Sequence, residues 1–462
     1  MPTQAVKADG AMVELNKKQH RTINYHLRAL FDAKSFEPLT IDAAKRAGLQ
    51  YLTRELRLRT GRSLLLTDQG LASLRAISQV LQASDKYIQA EPTDVSNVLR
   101  RVLVDLLSDA LMPDDSHELV ALIEARLDRM RHCYWFAVPV NGIEFDGIEA
   151  VQLGGLKLLR RSTDTLAALG AVLSDKLDTA THLGKGACLV GSIFGTEAYT
   201  KRKFRFSAEL AIGIISSVAA MSYEAGAAPF RITLEMSPEG ARAAARYVFW
   251  HEEKPDITHV RDWSRHQTLR LGQEMADYLQ TTPYLQHALA LTQRDDLTLL
   301  EQAIVRGLFW YSDAQRDAIS VMQLIKYWSC AEAIFSGDGR AITKSVSEGV
   351  AGVLVFGGFN FKSVEEYEEI VRELTTIYDK RSKAVHDARH DHVTQRDIAT
   401  LSQWTAYMLL GVLALIVERG YTAVDQIKAQ TQRLAGVMAQ ARERAKMMGG
   451  DAMSPDNGAA RA

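Results

Sequence analysis

Arg381 and His386, in the stretch Ile377-Tyr378-Asp379-Lys380-Arg381-Ser382-Lys383-Ala384-Val385-His386, form the pair in this chain most suited to chemistry. Histidine is the residue type whose ordinary pKa lies near neutrality, so it can take a proton from a hydroxyl at physiological pH. Arginine is permanently cationic, and its planar fork fits phosphate oxygens as charge builds on them. A base and a phosphate clamp suit metal-independent attack of a hydroxyl on a phosphate. Lys380, Lys383 and Arg389 would add attraction for a phosphate-bearing backbone.

The preceding element must position these groups. Apolar residues at Val364, Tyr367, Ile370, Val371, Leu374, Ile377 and Tyr378 fall three and four apart, which predicts an amphipathic helix. An offset of five turns an ideal helix by about 140°, so Arg381 and His386 would not share a face of a straight one. The pair therefore suits a helix end, or a place where two copies meet. A histidine there could instead cap the last carbonyls, where the helix dipole favours a cation.

The segment "YDKRSKAVHDA" and the upstream Tyr327-Trp328-Ser329-Cys330-Ala331-Glu332-Ala333-Ile334-Phe335 together resemble the Apea-like branch of the HEPN superfamily, over roughly the last third of the chain. Members carry an arginine, four to six residues, then a histidine; the branch is known from prokaryotic anti-phage (abortive infection) proteins. The resemblance implies an all-α bundle that pairs with a second copy, placing both motifs in one cleft. It implies Arg381 and His386 as catalytic residues and Lys380, Ser382, Lys383, Arg389 and Glu332 as RNA-binding ones, with no cofactor. Ser382 stands where many active relatives carry Asn, His or Asp. The reading is a metal-independent endoribonuclease in defence or as a toxin, with RNA as partner, a homodimer or higher oligomer, and a phage-derived trigger. The alternative is a non-catalytic scaffold or sensor that dimerises and binds a ligand or phage component.

At 462 residues and 47% apolar content the chain can bury more than one core. The formal net charge of -1 means that a nucleic acid would have to be held by local basic patches. Cys133, Cys188 and Cys330 have no metal-ligand spacing and fit a reduced cytoplasmic protein. The apolar stretches Leu210 to Tyr223 and Ser402 to Val417 are each shorter than the ~20 residues a spanning helix needs, so no membrane partner is expected. Met1 to Val13 shows no targeting pattern.

The fold class expected is multidomain and mostly α, with a central α/β domain and a C-terminal HEPN-like helical bundle. Residues 1–90 read as helical and basic, with thirteen Lys/Arg against seven Asp/Glu in the first 75 positions. Thr40 to Gly48 predicts a short helix reaching a turn, Leu49 to Arg59 a second helix, and Gly61 to Gly70 a small hairpin entering another. That order resembles a winged helix-turn-helix, and "TGRSLLLTDQG" is similar to the wing of LysR-type regulators. A DNA-binding regulator using Arg54, Arg57, Arg59 and Arg62 is thus a further alternative, although the recognition helix would be cut down. Glu91-Pro92-Thr93 marks a boundary, with Thr93 or Asp94 as cap. Residues 91–131 read as a helical connector.

The 132–240 segment reads as mixed α/β. Tyr134 to Val140, Val151 to Leu159, Ala187 to Phe194 and Arg231 to Glu235 predict strands, Ala208 to Tyr223 a helix, and Asn141-Gly142 and Asp146-Gly147 turns. After Gly240 the strands are expected to stop. A helical connector is assigned to 241–296, the bundle to 297–447 and a disordered tail to 448–462. Gly184-Lys185-Gly186 lacks the spacing of a phosphate loop. His386, Asp387, His390, Asp391 and His392 could be read as metal ligands, His386 and His390 being four apart, but no partner cluster supports them, so no metal is assigned. Phe309-Trp310-Tyr311 and Tyr327-Trp328 could stack bases, but aromatics on periodic helices read first as core.

Overall fold

Asn16 sets the start of the first helix, α1 (Lys17–Leu30). Its side chain accepts from the Gln19 amide while the Gln19 side chain accepts from the Asn16 amide, a reciprocal cap that satisfies two otherwise orphaned donors. The computed structural model describes residues 14–161, 186–221, 230–234, 246–251, 254–261, 268–294, 296–317, 319–336, 342–357, 359, 361–387 and 392–449. They are mostly helical with a smaller share of sheet. They fall into two units, one within residues 1–136 and 192–205, the other within 137–191 and 206–462.

In the first unit α1 is followed by β1 (Phe36–Pro38), α2 (Ile41–Ala47), α3 (Tyr51–Arg54), β2 (Glu55–Arg57), β3 (Ser63–Leu66) and α4 (Asp68–Gln82). The three strands are antiparallel in the order β1-β3-β2, with Phe36 opposite Leu66 and Leu56 opposite Leu64. The helix expected over Leu49 to Arg59 is one turn long. Glu55 turns extended, and Leu56 is buried on the sheet, a tertiary gain that overrides helical propensity. Of the hairpin expected over Gly61 to Gly70 only one strand, β3, lies there, its partner β2 coming from the stretch expected to be helical; the following helix is present, Thr67 capping α4 at the Gly70 amide.

Helices α5 (Pro92–Ser108) and α6 (Ser116–Met130) complete this unit. Its core runs without a break from Ile23 and Leu27 through Ile77 and Leu81 to Leu99, Leu103, Ile123 and Leu127. Glu91 therefore marks a helix start within one core. Glu91 itself is the N-cap, without a side-chain cap bond, and Pro92 opens the helix with its preset φ. Asp94, expected as a cap, instead accepts the Thr196 hydroxyl at 2.6 Å.

The next elements are β4 (His132–Asn141), β5 (Ile143–Phe145), β6 (Ala150–Leu153), β7 (Leu156–Arg161), β8 (Gly186–Gly195), α7 (Glu197–Ala220) and β9 (Thr233–Leu234). A five-stranded sheet runs β6-β7-β8-β4-β9, with Leu158 facing Leu189 and Val140 facing Leu234. Gly142 and Gly147 adopt φ of +84° and +71°, the left-handed turns that the glycines at those positions predicted. Strands continue past Gly240, contrary to the expected helical connector. β10 (Arg246–His251) pairs antiparallel with β11 (Lys254–Arg261), and β12 (Leu269–Leu271) pairs parallel with β5. The pairing of β12 with β5 is far removed in sequence, so a local pattern does not reveal it.

From there on the described chain is helical: α8 (Gln273–Thr281), α9 (Pro283–Ala290), α10 (Leu299–Arg316), α11 (Ser320–Phe335), α12 (Ile342–Phe356), α13 (Tyr367–His386), α14 (Gln395–Arg419) and α15 (Val424–Gly449). Helix α14 is the hub, packed by α9, α10, α11 and α12. Among the described residues it alone is long and apolar enough to cross a membrane, but 78% of its most apolar window is buried in this bundle. Tyr311, Tyr327 and Trp328 are core, whereas Phe309 and Trp310 are partly exposed. Of the tail expected over 448–462, Met448 and Gly449 belong to α15, and the remainder lies outside the described residues.

Candidate active site

Helix α13 begins after a single 3-10 turn at Val364–Glu366 and runs unbroken to His386. Ile370, Leu374 and Ile377 are buried, at the four-and-three spacing of the apolar stripe. The stripe turns Tyr378 and Arg381 toward α11. There Trp328, fully buried, donates its indole N–H to Glu332 Oε1 at 3.0 Å. Glu332 Oε2 lies 3.8 Å from Arg381 Nη2. The Arg381 guanidinium sits over the Tyr378 ring, 5.9 Å from its centroid, and Tyr378 in turn packs on Trp328 at 5.3 Å.

These four side chains close a ring. One member of each pair orients the next, so the guanidinium plane is set by a carboxylate and an aromatic face together. The 3.8 Å approach to Glu332 is a charge contact rather than a hydrogen bond, and Arg381 Nε is buried without a partner among the described atoms. Arg381 thus keeps donor capacity in hand.

His386 is the last residue of α13 and is exposed, and Asp387 follows as C-cap with its amide on the Lys383 carbonyl. Lys383 is exposed and Ser382 half-buried. Lys380 is already engaged: its ammonium bonds both Asp397 oxygens, at 2.7 and 2.8 Å. Asp397 also accepts from the Thr394 amide and hydroxyl, in the capping box that starts α14. Burial pushes the Asp397 carboxyl up, but the hydrogen bonds from Lys380 and Thr394 outweigh it and hold the group below its ordinary value. Lys380, read from the sequence as adding attraction for RNA, is thus held in an ion pair that ties the end of α13 to the start of α14.

His392, weighed as a metal ligand, binds the same corner. Its Nε2 lies 3.0 Å from the Lys380 carbonyl, which can only accept, so that nitrogen donates. Arg389, His390 and Asp391 lie outside the described residues. Of the N-terminal arginines, Arg54 is bound to Asp68 and Gln50, and Arg59 to Asp105 and Asp109. Arg57 and Arg62 are exposed at the β2–β3 hairpin. The bundle therefore gathers Arg381 with Glu332, Trp328 and Tyr378, and leaves His386 apart on the surface. Trp328 and Asp397 were not expected at the site. The Trp328/Glu332 spacing of four and the Thr394-x-x-Asp397 signature are the signals that could have found them.

Comparison with protein-family models, with curated proteins and with solved structures yields no match.

Proposed function

We propose that this chain is a metal-independent endoribonuclease of the Apea-like HEPN kind, acting in the cytoplasm in anti-phage defence or as a toxin. The observation that carries this reading is the pairing, on one helix, of an arginine oriented by a carboxylate and an aromatic ring with an exposed histidine at the helix end. His386 takes the proton of the 2'-hydroxyl. The oxygen then attacks the adjacent phosphorus, and the bond to the 5'-oxygen breaks. Arg381 holds the phosphate oxygens, and Lys383 adds attraction for the strand. Because the two side chains diverge on one helix, the composite site takes Arg381 from one copy and His386 from another, which requires a homodimer. Cleavage of a labelled RNA in excess chelator, leaving 2',3'-cyclic phosphate ends, tests the reading; loss of cleavage on chelation, restored by a divalent ion, refutes it.

A second reading draws on the first unit. The order α1-β1-α2-α3-β2-β3-α4 with a β1-β3-β2 sheet is what a winged helix-turn-helix resemblance implies. Duplex DNA binding would then rest on Arg57 and Arg62, and a mobility shift unchanged by replacing both removes it.

A further inference from the structure

The first unit holds a cavity of about 400 Å³, within the ~300–1,000 Å³ range of small-molecule sites, and far in sequence from the Arg381 motif. Its walls are the first turns of α5 and α7, which contribute Asp94, Glu197 and Ala198, and the start of β4, which contributes His132 and Tyr134; Met130 and Lys201 complete it. His132 and Tyr134 are two apart on a strand and so share a face, their rings edge-on with centroids 6.2 Å apart.

The charge inside is set by Asp94. Lys201 is held by Glu197, Nζ to Oε1 at 2.5 Å, one helical turn away, so those two charges largely cancel. Asp94 has no cationic partner among the described residues. Its Oδ2 accepts the hydroxyl of the buried Thr196, whose own amide is fixed on the Gln89 carbonyl at 2.9 Å. The carboxylate is thus oriented by a neutral donor, and Oδ1 carries no described hydrogen bond. An anion here would meet two carboxylates and one ammonium that is already paired. A cation would meet an uncompensated carboxylate, aromatic faces and a polarisable thioether.

We propose that this cavity binds a small organic cation, an amine or guanidinium on an apolar stem, with its head on Asp94 and its stem on Tyr134 and Met130. The cation can be a free metabolite or a basic side chain of a peptide. Titration calorimetry on the full chain distinguishes these sources, with agmatine as the free cation, a blocked arginine tripeptide as the peptide, and AMP and guanosine as anionic and neutral competitors. Agmatine or the tripeptide should bind, whichever is tighter naming the source, and Asp94→Asn should weaken binding about tenfold or more, the loss expected for a hydrogen bond to a charged group. Asparagine can still accept from Thr196. Tyr134→Leu, on a half-exposed strand position, gives a second variant should Asp94→Asn fail to fold, and it should weaken binding as well. Preference for AMP or guanosine, no binding of either cation, or wild-type affinity in a folded Asp94→Asn or Tyr134→Leu chain would overturn the proposal.

Discussion

Arg381 turns inward to Glu332, while His386, five positions further along the same unbroken helix, stands exposed at its end. The helix sets them about 140° and about 7.5 Å apart, so a single chain does not aim both at one phosphate. The proposed chemistry therefore makes a specific demand on assembly. Arg381→Ala and His386→Ala chains should each be inactive alone, and when mixed and allowed to exchange subunits should recover about a quarter of wild-type cleavage, since half the dimers hold one intact site of two. Initial rates on labelled RNA check this, and no recovery in exchanged mixtures contradicts the composite site.

The hydrogen bond from Trp328 to Glu332 links core packing to the orientation of Arg381. Trp328→Phe keeps most of the packing and removes the donor. It should cost about 1 kcal/mol of stability yet slow cleavage, because Glu332 then loses the group that fixes it. Trp328→Ala should cost about 3–5 kcal/mol through the cavity left by a fully buried ring. Denaturant unfolding beside single-turnover cleavage separates the two effects.

Acid should loosen the corner between α13 and α14. The Asp397 carboxyl is held below its ordinary value in the folded state, so its contribution is present above the unfolded carboxylate pKa of about 4 and is lost as pH falls through the lower folded value. Asp397→Asn should therefore lower the melting temperature at neutral pH. The gap to wild type should close as pH drops through that acidic window. A constant gap across the range would show that the ion pair contributes nothing.

Gly213 of α7 faces α10 so closely that an added Cβ would lie 2.7 Å from the Leu308 carbonyl oxygen. Backbone cannot give way as a flexible side chain can, so Gly213→Ala should destabilise the chain by about 1–3 kcal/mol despite alanine's better helix propensity. A melting temperature equal to or above wild type would contradict this contact.

What the sequence disclosed follows the reach of local patterns. The inner face of α13 was legible because Ile370, Leu374 and Ile377 repeat at helical spacing, and the turns at Gly142 and Gly147 because few other residues tolerate positive φ. The strand at Leu56 was not, because burial on the sheet opposite Leu64 outweighs its helical pattern, nor was the parallel pairing of β12 with β5, because those strands are far apart in the chain. The Arg381 and His386 types were visible, but the environment of Arg381 was not. It comes from α11 packing on α13, which brings Trp328 and Glu332 to Tyr378 and Arg381. The ion pair of Lys380 was hidden for the same reason: its partner, Asp397, belongs to the next helix.

Single-turnover cleavage of a labelled RNA in excess chelator, by wild type, Arg381→Lys and His386→Ala, tests the central claim most directly, with melting temperatures as a control. The proposed mechanism predicts cleavage by wild type, little or none by His386→Ala with its fold intact, and a slower rate with near-normal RNA binding for Arg381→Lys, which keeps charge but loses the fork. Wild-type cleavage by a folded His386→Ala chain would contradict it and leave Arg381 and His386 as structural residues of a scaffold.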